Sequence, residues 1–396
     1  MSRPPCEVAD IVRRQGDRFL ETQPAWLTSH HRRVLRALVQ CRTAALGGHR
    51  DRCDACAQPG FSYNSCRDRH CPKCLTAARN HWVAAREREL LPVGYVHVVF
   101  TMPAVLARLA LSNKRVVYDL LFRAAAATLL QVAANPKRLG AAIGGLMVLH
   151  TWGQRLQHHP HIHCVVPAGG LSSDGTRWIH ARPRFFLPIP VLRQVFRGKL
   201  VAGLREAFAQ GRLSFPGALE PLGPAVAFRA FLRSLYRQPW VVYAKPPFGS
   251  PAHVLHYLAR YTHRVAISNH RLIAVTDDTV AFRWKDYRHG SQVRTLTLDA
   301  AEFLRRFLLH VLPKHFVRIR YFGVLAPRCR THALAQCWQA LAVDPTPAPA
   351  DVPVVTRPRG TWPCPRCGGP MRVVERLTAR QLFLEAVTAG LLHDTS

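Results

Sequence analysis

Acidic side chains are scarce. The 396 residues hold 23 Asp and Glu against 55 Lys and Arg, a formal net charge of +32 with His neutral. No acidic cluster lies near the histidine-rich centre, which argues against a nuclease built on carboxylates around two metal ions. Long apolar runs are missing too. No stretch has eighteen uninterrupted apolar residues, so no transmembrane helix is expected. The start, Met1 to Arg14, has no signal-peptide core, so the chain is expected to stay in the cytosol. No amphipathic basic helix suited to a membrane surface is evident. No G-x-x-x-x-G-K-[ST] loop occurs, so no nucleotide cofactor is expected.

What is abundant is positive charge and cysteine. Lys and Arg release counterions from nucleic acid on binding, so phosphate is the partner this surface implies. In a reducing cytosol, 12 cysteines argue for metal rather than disulfides. Cys53 and Cys56 form one C-x-x-C, and Cys71 and Cys74 form C-P-K-C fourteen residues later. Two such hairpins predict one tetrahedral structural zinc held by these four thiolates. Cys41, His49, Cys66 and His70 are candidates for a second site, or are small core residues and phosphate contacts. The basic stretch at Arg67, Arg69 and Lys73 is expected to touch DNA. Cys364 and Cys367, in C-P-R-C-G-G, are half of a zinc ribbon. Its other half is not evident, and Cys329 and Cys337 are candidates despite unusual spacing.

The periodicity predicts helices over 7–20, 25–42, 76–91, 103–134 (broken near Asn113 and Lys114) and 300–312. A short helix is expected over 378–391. Strands are expected over 94–101, 144–152 and 161–166, a small meander over 272–298, and a basic strand over 316–325. The fold class is therefore α+β. The expected division is a helical, zinc-binding, DNA-contacting segment over 1–91, a catalytic domain over 92–343 with a mainly helical insertion at about 183–240, and a Pro-rich linker and cysteine tail over 344–396.

The organising stretch is Gln154 to Cys164, Gln-Arg-Leu-Gln-His-His-Pro-His-Ile-His-Cys. On a strand His161 and His163 share a face and Ile162 points into the core, so two imidazoles can reach one divalent ion. Downstream, Ser250 suits an N-cap and Pro251 a first helical position. Tyr257 and Tyr261 then fall four apart on one helix face, as core aromatics or as hydroxyls presented to a sheet carrying a metal. A metal, two tyrosines and a basic groove are consistent with transesterification of a DNA phosphodiester. The cation would polarise the phosphate that a phenol attacks.

Several colinear pieces share this reading: Val98-Val-Phe-Thr-Met-Pro103, the His-Pro-His-Ile-His run, Tyr257 to Ser268, Lys285-Asp-Tyr-Arg288, and Tyr-Asn-Ser-Cys-Arg-Asp-Arg-His-Cys-Pro-Lys-Cys ending at Cys74. Together they resemble the rolling-circle transposases of bacterial insertion sequences, the IS-ninety-one type, within the HUH endonucleases. The resemblance implies an antiparallel sheet with the histidines on a central strand and a tyrosine helix packed across it. It implies cleavage of single-stranded DNA at element ends with Mg²⁺ or Mn²⁺, in a bacterial, nucleoid-associated protein. It implies His161 and His163 as metal ligands and Tyr257 and Tyr261 as nucleophiles. Candidates for the third ligand are Gln154, His159 and His256, with Gln154 favoured. Arg260, Arg264, Arg318 and Arg320 join the expected DNA contacts. Two other readings remain open: a plasmid replication initiator using the same chemistry, and a non-catalytic zinc-dependent DNA-binding regulator.

Overall fold

The computed structural model describes residues 4–22, 26–75, 82, 83, 86, 89–248, 266–287, 289–342 and 362–388, with backbone alone for 246–248. In chain order, α1 (Val8–Glu21) and α2 (Ser29–Gln40) lead into the hairpin β1 (Gly48–Cys53) and β2 (Pro59–Tyr63). Thr28 caps α2 and exchanges hydrogen bonds with His31 in a capping box. After β3 (Tyr95–Thr101), α3 (Ala107–Ser112) and α4 (Lys114–Ala134) are separated by Asn113, where the sequence places a break. Then come β4 (Gly144–Trp152), β5 (His158–Pro167), β6 (Gly169–Leu171), β7 (Trp178–His180), α5 (Ile189–Ala209), α6 (Ala225–Ser234) and β8 (Val241–Phe248). The last part holds β9 (Leu272–Val275), β10 (Thr279–Asp286), β11 (Gln292–Asp299), α7 (Ala300–Leu309), β12 (Ile319–Gly323), α8 (Arg330–Ala340), β13 (Trp362–Pro363), β14 (Pro370–Leu377) and α9 (Ala379–Thr388).

The main sheet has five strands in the order β12-β4-β5-β3-β8, each neighbouring pair antiparallel. The protein is thus α+β, with the histidine strand β5 at the centre of the sheet. One face is largely apolar. Val98, Phe100, Ile162 and Cys164 pack there against α4 and α5 through Leu121, Phe122, Phe196 and Leu200. By length and composition α4 could cross a membrane. In the fold it is the core helix of this layer, with Tyr118, Leu121 and Ala125 fully buried. The other face is apolar at one end, where Leu146, Val148 and Val165 meet Cys337 of α8. At its other end it displays histidines.

A second core joins α1 and α2 to the meander β9–β11 and to α7 through Val34, Leu38, Phe282 and Phe303. The N-terminal helices therefore share their core with the meander and α7. A third sheet has the order β13-β14-β1-β2. Here the C-terminal β14 pairs antiparallel with β1, Cys53 lying opposite Met371. The cysteine tail is thus built into the N-terminal hairpin rather than standing apart from it.

Candidate active site and zinc sites

Alternation along β5 puts His161 and His163 on one face, with the fully buried Ile162 behind them. The β4–β5 register sets His150 directly opposite His161. The three imidazoles converge, with ring centroids 4.4 Å apart for His150 and His163, 4.8 Å for His161 and His163, and 5.5 Å for His150 and His161. Each offers a ring nitrogen, and the three nitrogens lie within 4.8 Å of one another.

A cation needs neutral imidazoles with a lone pair aimed at it. Burial lowers His161 to about 4, and its Nδ1 donates to the carbonyl of His159 at 2.7 Å, which leaves Nε2 as the ligand atom. His163 Nδ1 shares a 2.8 Å hydrogen bond with Nε2 of His97, whose ring stacks on it at 5.0 Å. Burial, then the charges of Lys245 and His161, lower His97 to about 3, so this partner is neutral. Such a hydrogen bond orients a metal-ligating imidazole. Three imidazole nitrogens on one side of a point fit a divalent ion that keeps open positions for phosphate oxygen.

For the third position the structure brings forward a residue that sequence reasoning did not name. Gln154 sits in the turn between β4 and β5. Its Oε1 accepts from the backbone N–H of Lys285 at 3.4 Å, and its carbonyl accepts from Arg271. These contacts tie Gln154 to β10 and Arg271, and His150 stands in the cluster with His161 and His163. His159 offers its carbonyl to His161 and is not in the cluster. His150 escaped notice because cross-strand pairing is not written in a single strand. His256, Tyr257, Arg260, Tyr261 and Arg264 lie outside the described residues. β8, beside β3, ends at Phe248, and the described chain resumes at Ala266.

The cysteines form two groups of four, and neither is the predicted set. Cys41, Cys66, Cys71 and Cys74 converge, and so do Cys53, Cys56, Cys364 and Cys367. The two C-x-x-C hairpins part company for a topological reason. β1 and β2 carry Cys53 and Cys56 to the end of the sheet where β14 brings Cys364 and Cys367. The backbone bond from Arg42 N–H to the Asn64 carbonyl, 3.0 Å, folds Cys66, Cys71 and Cys74 back onto Cys41 at the end of α2.

The sulfur spacings test the fit to zinc. They are 3.6 Å for Cys53 and Cys367, 3.7 Å for Cys56 and Cys364, and 3.7 Å for Cys66 and Cys74. Zn–S bonds of about 2.3 Å in a tetrahedron put sulfurs about 3.8 Å apart, whereas a disulfide needs about 2.05 Å. Backbone N–H groups stabilise the thiolates. Asp68 donates to Cys66 at 3.5 Å, Arg366 to Cys364 at 3.4 Å and Gly369 to Cys367 at 3.4 Å. The backbone N–H groups of Cys367 and Arg366 hold the Cys364 thiol down to about 7. The two glycines of C-P-R-C-G-G are explained here. Gly368 has φ +74, and a Cβ on Gly369 would lie 2.7 Å from Ala55 and 3.2 Å from the Cys367 sulfur.

His49 and His70 belong to neither cysteine group. His49 lies 3.6 Å from Asp51. His70 is clamped between Asp68, at 2.9 Å, and the backbone N–H of Leu312, at 3.1 Å. Cys329 donates to the carbonyl of Gly323 at 3.4 Å, and Cys337 is buried under the main sheet. Among the described arginines and lysines expected at DNA, only Arg67 is exposed. Arg69 donates to the carbonyls of Phe316 and Pro313 (2.9 Å for the latter), Lys73 pairs with Glu7 at 2.9 Å, and Arg320 pairs with Asp119. Arg318 is lowered to about 10 by burial and by Arg69.

Fold and site together define an α+β metal-binding protein, with a three-histidine cluster on a central antiparallel sheet and two four-cysteine clusters beside it. Residues 144–333 match the family described as "Putative transposase", and residues 11–102 match the "Transposase zinc-binding domain". The chain is 53% identical over 351 residues, 89% of this chain and 88% of the relative, to "Putative transposase y4qJ" of Sinorhizobium fredii (strain NBRC 101917 / NGR234). It is 30% identical over 363 residues, 88% of this chain and 85% of the relative, to the "Transposase for insertion sequence element IS801" of Pseudomonas savastanoi pv. phaseolicola. No solved structure matches. The chain belongs to the insertion-sequence transposases of the IS-ninety-one type, and carries their zinc-binding domain.

Proposed function

We propose that this transposase cuts and rejoins single-stranded DNA at element ends through a 5′-phosphotyrosine, with Tyr257 and Tyr261 as nucleophiles. His150, His161 and His163 would hold Mg²⁺ or Mn²⁺. The observation that carries the reading is the convergence of three histidines on β4 and β5, in a transposase chain with a Tyr-x-x-x-Tyr pair after β8. When bound, the divalent cation polarises the scissile phosphate and stabilises charge on the transferring oxygens.

The chain's own groups do the rest. A tyrosine hydroxyl loses its proton and its oxygen bonds to phosphorus. The bond from phosphorus to the 3′ oxygen breaks, and that oxygen takes up a proton to leave a free 3′-hydroxyl. Bond energy is conserved in the phosphotyrosine, so a 3′-hydroxyl can reverse the step without a nucleotide cofactor. A second tyrosine allows a second strand to be cut while the first is occupied. His97 keeps the ring of His163 oriented, and the carbonyl of His159 keeps that of His161. The cysteine clusters take no part in the chemistry and would hold two zinc ions as structural braces.

The test is a denaturing gel of the protein mixed with labelled single-stranded DNA from its element's ends, with and without Mn²⁺. The expected result is a metal-dependent band of protein joined to DNA. It weakens in Tyr257→Phe and in Tyr261→Phe and vanishes in the double variant. A band of unchanged intensity in the double variant would reject the nucleophile assignment.

A further inference from the structure

Away from the histidines, two clefts of about 670 and 510 Å³ share His30 and Lys314 and so form one channel. α2 gives one wall with His30 and Arg33, and the cysteine loop adds Arg67. The start of α4 contributes Arg115 and the segment after α7 contributes Lys314. Four of these are full cations, and all four are exposed. The sole carboxylate among the described lining residues, Asp68, is engaged by the ring and the backbone N–H of His70, at 2.9 and 2.8 Å.

The cations are positioned rather than scattered. Arg115 donates to the carbonyl of Lys314 at 2.7 Å, and Arg33 lies 3.0 Å from Nδ1 of His30. Arg67 is held at φ 53, in the left-handed region that disfavours side chains other than glycine. Trp26 lines the same channel, 37% exposed, with its ring braced edge-on by His31 at 5.6 Å and 83°. The floor is fixed to the catalytic sheet. Lys114 Nζ donates to the carbonyls of Leu309 and Val311, both at 2.9 Å. Between these residues, His310 lies 6.1 Å from the ring of Trp152, which stacks on His150 at 4.5 Å.

We propose that this channel is a subsite for single-stranded DNA flanking the cleavage point. Arg33, Arg67, Arg115 and Lys314 take successive phosphates, and an unpaired base stacks on Trp26. The inference rests on the reading that the protein acts on single strands. Volumes of this size suit a nucleotide or two. A row of cations with an exposed aromatic is the combination that holds single strands without reading sequence.

The test measures affinity for a fluorescein-labelled oligothymidylate across a range of salt. The full-length protein is loaded with zinc, and zinc content and melting temperature serve as folding checks. Trp26→Ala is expected to weaken binding about tenfold. Arg115→Gln with Lys314→Gln is expected to lower the log–log salt slope by about 1.4. Photo-crosslinking of the native protein to an oligonucleotide carrying 5-iododeoxyuridine should label the peptide that contains Trp26. Wild-type affinity and slope in the folded variants, or crosslinks confined to other peptides, would overturn the subsite while leaving single-strand cleavage standing. A protein that prefers an equal length of blunt duplex would overturn both, and so would one that neither binds nor joins to single strands.

Discussion

At the residue scale the decisive group is His150, which makes a histidine pair into a triad. A set of three imidazoles without a carboxylate is softer than Mg²⁺ prefers. Mn²⁺ should therefore support cleavage at a lower concentration than Mg²⁺. Metal titration of the rate checks this, and a preference for Mg²⁺ would point to ligands other than the histidines. His97 acts through His163 and is a positioning residue. His97→Phe should weaken Mn²⁺ binding by about 10–100-fold while leaving the fold intact, read by electron paramagnetic resonance of free Mn²⁺. Unchanged affinity would make His97 a packing residue only. His161 and His163 were legible in the sequence because a strand's period of two announces itself locally. His150 was not, because its place depends on which strand pairs with which, and in what register. Gln154, the favoured candidate in the sequence, meets Lys285 and Arg271 in the turn between β4 and β5.

At the scale of elements, the zinc ribbon is the clearest case of long-range closure. Cys53 and Cys56 on one hairpin need Cys364 and Cys367, about three hundred residues away. Two zinc ions per chain are expected. Cys364→Ser should lose one and release β14 from β1, read as metal content and as faster amide exchange in 370–377. Loss of both ions, or of neither, would contradict two independent clusters. The C-x-x-C spacing identified the half-sites, but nothing in the intervening chain reveals which half joins which. Helices α1, α2 and α4 could be read from their apolar period, and Asn113 from its break. The histidine strand depends on its buried face. Ile162→Ala should cost about 2–5 kcal/mol, measured by denaturant unfolding, because a fully buried side chain leaves a cavity between β5 and its helices. A cost under 1 kcal/mol would mean that the layer closes around the gap.

At the scale of the whole molecule, charge and buried histidines set the response to conditions. Burial lowers His158 and His310 to about 3 and His31 to about 4. In the unfolded chain each would titrate near 6.5. Between those values the unfolded state binds more protons. Stability is therefore complete above about pH 6.5 and falls as pH drops, by roughly 1.4 kcal/mol per unit for each such histidine. Melting of zinc-saturated protein from pH 7.5 to 5 checks the sign, and rising stability on acidification would contradict it. The excess of 55 Lys and Arg over 23 Asp and Glu signalled a phosphate-rich partner from the outset. The sequence did not show which cations are free to meet that partner. Arg69, Lys73 and Arg320 are engaged inside the protein, whereas Arg33, Arg115 and Lys314 lie along an open channel.

The measurement that bears most directly on the account is Mn²⁺-dependent cleavage of a single-stranded element end by His150→Ala beside the native protein, with DNA affinity measured on both. The account predicts at least a hundredfold slower cleavage and loss of the covalent protein–DNA band at unchanged affinity. A variant that cleaves at the native rate would show that the three-histidine cluster does not hold the ion on which the chemistry depends.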